Sequence, residues 1–122
     1  MINIGKLEDE IQSFVSGNSE VQGAILASPD GLSLVATLPN NMDEERMAAM
    51  SASMLSLGDR IGRELTRGSI DRIVMEGDKG YSMLVSCGRE AVLLVLANST
   101  MKQGLLFLEV KRAVDKIAAL LV

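Results

Sequence analysis

At 122 residues with a formal net charge of −4 and a pI near 4.8, the chain presents no positive footprint for a phosphate backbone. Aromatic residues make up only 2% against 48% apolar, so base-stacking platforms are excluded and the core must be built from aliphatic side chains and eight methionines. The chain has no histidine, which removes the commonest general base and metal ligand, and its one cysteine, Cys87, cannot form an intramolecular disulfide.

Residues 2–16 place Ile4, Leu7, Ile11, Phe14 and Val15 at helical spacing, with Gly17 where a helix would close. The runs 21–27 and 32–37 flank Ser28-Pro29-Asp30-Gly31, where Pro presets φ and Gly tolerates the left-handed region, so a hairpin is predicted. Asn41 followed by Glu44 has the spacing of a capping box and predicts a long helix from Met42 to Arg67, stopped by Gly68. Asp43, Glu44 and Glu45 at its start and Arg60, Arg63 and Arg67 near its end complement the helix dipole.

Three β-like runs follow, 69–76, 81–87 and 91–97, joined by short glycine-bearing loops that make them antiparallel neighbours. The last, Ala91-Val92-Leu93-Leu94-Val95-Leu96-Ala97, is apolar on both faces and predicts a strand packed on each side. Thr100 and Gln103 repeat the capping-box spacing before a stripe of Phe107, Val110, Val114, Ile117 and Leu121. The predicted order is αββαβββα, an α/β (α+β) arrangement, and no linker or repeat interrupts it, so one domain over 1–122 is expected.

The long helix carries Met47, Met50, Met54, Leu57 and Ile61 at alternating steps of three and four, the spacing of a seam that pairs helices. A stripe of this kind ordinarily packs on the protein's own sheet. Here Met42, Leu55 and Leu65 widen the apolar arc, and Ala48, Ala49, Ser51, Ala52, Ser53 and Ser56 would let another backbone approach, which points to a dimer. The run Ser69 to Glu76 has charges around an apolar centre at Ile73, Val74 and Met75; at a sheet edge it could pair with its own copy. The dimer interface is therefore expected at Met47, Met50, Met54, Leu57, Ile61, Ile73 and Met75.

Several segments in this order resemble the Roadblock family, which includes the dynein light chain Roadblock and MglB-like regulators of small Ras-like GTPases. They are Val21-Gln22-Gly23-Ala24-Ile25-Leu26-Ala27-Ser28-Pro29-Asp30-Gly31-Leu32, the helix ending in Gly58-Asp59-Arg60-Ile61-Gly62, Ile73-Val74-Met75-Glu76, and Ala97-Asn98 leading through Gly104 to Glu109-Val110. The resemblance implies a Roadblock/profilin-like fold, a five-stranded antiparallel sheet with helices on both faces. It also implies a homodimer, or a heterodimer with a paralogous Roadblock protein, formed through the long helix and the third strand, and a Ras-like GTPase as partner.

The chain has no GxxxxGK[ST] or HExxH, so no nucleotide, metal or other cofactor is expected. Cys87 lacks an imidazole to activate it and reads as a small buried hydrophobe. The carboxylates at 8–10 and 43–45 fit solvated helix starts, and Arg46, Arg60, Arg63 and Arg67, the residues placed to supply an arginine to a GTPase, fit a solvated helix face. No catalytic residue is nominated. No apolar run reaches the ~20 residues that span a bilayer, and MINIGKLEDEIQ is not a signal-type apolar run, so a cytoplasmic protein without membrane insertion is expected. The expected function is a non-catalytic interaction module regulating a GTPase. A purely structural scaffold or motor-complex subunit, and a small-molecule sensor, are the alternatives.

Overall fold

The two apolar faces of the run at 91–97 decide the architecture. In the computed structural model, which describes residues 2–121, this run is the central strand of five and every residue but Leu96 is buried. The elements are α1 (Ile4–Ser16), β1 (Val21–Ala27), β2 (Ser33–Thr37), α2 (Glu44–Glu64), β3 (Arg72–Gly77), β4 (Gly80–Cys87), β5 (Ala91–Ala97) and α3 (Gln103–Leu120). All neighbouring strands are antiparallel in the order β2-β1-β5-β4-β3, which leaves β2 and β3 at the edges.

Alternation along β5 splits the core in two. Leu93 and Val95 face α1 and α3, where Leu7, Ile11 and Phe14 meet Leu106, Val110 and Ile117. Val92 and Leu94 face α2, where Ile25 and Leu84 meet Ala48 and Leu55. The predicted order, the antiparallel sheet and the helices on both of its faces are all present.

Several boundaries differ from the sequence reading, each for a local reason. The cap of α2 is Asp43, whose carboxylate accepts the Arg46 N–H at 3.1 Å, while Asn41 turns the chain with φ 77° and Glu44 accepts from the Ser33 hydroxyl. The helix ends at Glu64, before Arg67, because Thr66 at φ 56° and Gly68 at φ 83° reverse the backbone. The third strand starts at Arg72: Ile70 lies over Gly62 of α2, and its N–H is directed at Asp59. Thr100 caps nothing, because its hydroxyl and N–H both bond the Asn98 side chain, and α3 begins after Lys102. Gly17 is not left-handed; any Cβ there would press on the Ser13 carbonyl.

Candidate protein interface

The helix α2 lies close to the sheet because its inner face is made of small residues. Ala48, Ser51, Ala52 and Gly62 are buried there together with Leu55. Leu55 and three of the small residues read as room for a second helix therefore serve the protein's own core. Ala49, Ser53 and Ser56 remain outside and line an open groove of about 430 Å³ with Pro29, Asp30 and Arg60. It is a surface furrow, not a chamber between helix and sheet.

With the small face inward, the seam points to water. Met50 is 55% exposed, Met54 39%, Leu57 51% and Ile61 50%, and Leu65 and Met42 are exposed beyond them. Met47 alone of the five is half-buried, packed against the cluster under α2. Four large apolar side chains in succession on one helix face form a patch of the sort that a lone soluble domain rarely carries. The expectation that such a stripe serves the core holds only for Met47.

Beside this patch runs β3, bonded on one side to β4. Ile73 is half-buried against the α2 cluster and lies against Gly58, where a Cβ would collide with it. Met75, two residues on and so on the same face, is 41% exposed. The seven residues expected at an interface thus share the α2 side of the molecule, five of them at the surface and two, Met47 and Ile73, partly in the core.

The opposite face of β3 was not singled out from sequence. Val74 packs into the other core, the Arg72 guanidinium sits 3.7 Å from the centre of the Phe107 ring, and Glu76 accepts a bond of 3.0 Å from the Gln103 amide. The alternation Arg72-Val74-Glu76 was the available signal, but the two anchors lie on α3, far along the chain.

Arg46, Arg60, Arg63 and Arg67 are all exposed. Cys87 is buried, and burial pushes its thiol from the usual 9.0 up to about 12. A thiol reagent at pH 8 is expected to leave Cys87 unmodified in the folded protein and to react in full once denaturant exposes it; rapid reaction of the native protein would contradict the burial. Because the unfolded thiol ionises first, Cys87 contributes stability that is complete below pH 9 and lost as the pH rises toward 12. Among the described residues no group of His, Cys, Asp and Glu is gathered to hold a metal ion, and no helix is long and apolar enough to cross a membrane.

Comparison with known proteins bears on this arrangement. A family model described as the Roadblock/LC7 domain matches residues 7–97, ending at the last residue of β5 and before α3. An uncharacterized protein of Methanocaldococcus jannaschii is 32% identical over 100 residues, which span 82% of this chain and 84% of that protein. Among solved structures, MglB of Myxococcus xanthus is similar with a TM-score of 0.88 at 17% identity, covering 96% of this chain and 88% of that one. An MglB with tetrameric arrangement has a TM-score of 0.87 at 17% identity, covering 97% of this chain and 89% of that one.

Proposed function

The chain belongs to the Roadblock/LC7 domain family, and from that premise we propose that it is a non-catalytic module, residues 1–122 acting as one unit, that dimerises and binds and regulates a small Ras-like GTPase. One observation carries the reading: the exposed row Met50, Met54, Leu57 and Ile61 on α2, continuous with Ile73 and Met75 on an edge strand. A two-fold axis beside β3 would cover both at once, since an isologous contact uses the same patch on each copy. Self-association would bury the apolar row and give the open side of β3 a partner for its backbone groups. The tetrameric arrangement described for an MglB is consistent with a fold that pairs with itself.

The partner class comes from the family resemblance, and the way it would be served comes from surface chemistry. A GTPase needs its switch loops held, or an arginine supplied to the transferring phosphoryl group. The exposed arginines of α2 could take part in the second.

The test uses Ras-like GTPases from the same genome, each loaded with GTP or GDP, measured for binding to the purified protein and for single-turnover hydrolysis. Binding that depends on the nucleotide, with a changed hydrolysis rate, is the expected result. Tight binding with an unchanged rate would favour a structural scaffold, and no binding to any of them would overturn the assignment of a GTPase partner.

A further inference from the structure

The helix layer on the far side of the sheet from α2 has an exposed apolar feature of its own. On α3, Leu105 and Leu108 are 49% and 47% exposed, while Leu106, Val110, Ala113 and Ile117 of the same helix are buried. Three residues apart, the two leucines are neighbours on the outer face, and exposed Arg112, four residues beyond Leu108, continues their row. Steps of three and four keep a row on one side of a helix, the side along which a second helix can lie. Asp115 comes next in the row and ends its apolar and basic part. All of α3 lies beyond residue 97, where the family match stops.

The surroundings of the leucines are basic on a chain whose net charge is −4. Between Lys102 and Arg112 the one carboxylate is Glu109, and it accepts from the Arg112 guanidinium at 3.1 Å. Lys111 lies 5.5 Å from the centre of the Phe107 ring that Arg72 covers, and neither Lys102 nor Lys111 has an ion-pair partner among the described residues. The carboxylates that β3 brings near are engaged, Glu76 by the Gln103 amide and Asp71 by Arg72 at 3.6 Å. Lys102 stands at the cap position of α3 without making a cap bond, and the first turn holds no acid. The helix dipole disfavours a cation there, in contrast to the acidic start of α2.

These charges discriminate among occupants. Two α3 rows laid together would set lysines against lysines, which argues against a second copy. An anionic bilayer pressed on this layer would also meet Asp9 and Glu10 of α1, which line a furrow with Leu120 of α3. A narrow acidic segment lying along the first turns of α3 avoids both conflicts.

We propose that the outer face of α3 from Lys102 to Arg112 is a docking surface for an acidic amphipathic helix of a partner protein. Apolar residues of that helix cover Leu105 and Leu108, and its carboxylates meet Lys102, Lys111 and Arg112. Since α2 and α3 pack on opposite faces of the sheet, this surface stays open when the α2 face is covered, and it does not rest on the dimer or GTPase readings. A short helix of this kind is marginal alone in water and is ordered by docking, so the contact is salt-sensitive and reversible.

The probe is a synthetic peptide of about four turns, with leucines at i, i+3 and i+7 and glutamates on both flanks, titrated into the isotope-labelled full chain. A peptide with lysines in place of the glutamates is the comparison. The acidic peptide is expected to shift the amide signals of residues 102–112 and to bind about tenfold more tightly than the lysine peptide at low salt, a gap that narrows as salt is added. The variant L105A/L108A changes exposed side chains only; with its helical signal intact by circular dichroism, it is expected to bind about tenfold more weakly or worse. K102E/K111E is expected to reverse the preference and take the lysine peptide. No binding of the acidic peptide, equal binding of both peptides, or shifts centred on α2 would overturn the proposal. Co-sedimentation with phosphatidylserine vesicles in place of peptide binding would give the face to a membrane and overturn it as well.

Discussion

Replacing Met50 and Met54 together with glutamate is expected to yield a folded monomer of 13.1 kDa from a dimeric wild type. Both side chains lie on the outer face of α2, 55% and 39% exposed, so in the single chain the new carboxylates are met by water. Glutamate is also nearly as good a helix former as methionine, and the interior of α2 should keep its helicity. In the proposed dimer the same positions would face one another across a two-fold axis. Four carboxylates would there lose hydration without gaining partners, a penalty of several kcal/mol that an interface built on apolar contacts does not survive. Met47→Glu would confuse the test, because Met47 is half in the core and its loss would also weaken the fold. Light scattering combined with circular dichroism separates the outcomes. A variant that keeps its helical signal and still elutes as a dimer would remove the seam from the interface.

The largest effect on stability is expected at Leu93. It is fully buried in the central strand, facing the layer of α1 and α3, and its neighbours are held by the sheet on both sides. Leu93→Ala removes three methyl or methine carbons from a place that cannot close up, because the strands around it are locked by ladder hydrogen bonds. A loss of about 2–5 kcal/mol follows from the transfer and cavity terms together, a large part of a stability of ordinary size. Urea denaturation at a fixed protein concentration should show a lower midpoint with an unchanged slope. A midpoint within error of the wild type would mean that this side chain is not in the close-packed layer.

Much of the architecture was legible because the strongest patterns had one physical reading. The run at 91–97 has no polar residue, is only seven residues long and follows a glycine-bearing turn, the pattern of a strand covered on both faces. The helices were legible through spacing but their ends were not. Asn41 and Thr100 carry capping chemistry, yet at each helix start a competing local bond won: Asp43 is two residues closer to the first free N–H groups of α2, and Asn98 takes both the hydroxyl and the N–H of Thr100.

The faces of α2 were harder, since sequence shows an apolar stripe without showing what lies beneath it. Large side chains were the natural core candidates, but a helix that sits low on a sheet needs small ones, and Ala48, Ser51 and Ala52 were spent there. Met50 and Met54 were thereby left outside. Arg72 and Glu76 were readable as charges on a strand, whereas Phe107 and Gln103, which hold them, become neighbours only when α3 folds over the sheet.

The central claim is that this chain works as a dimer through the α2 and β3 face, and its mass in solution tests that most directly. Multi-angle light scattering across a range of concentrations should give twice the 13.1 kDa chain mass. A value of one chain mass at the highest concentration would contradict it.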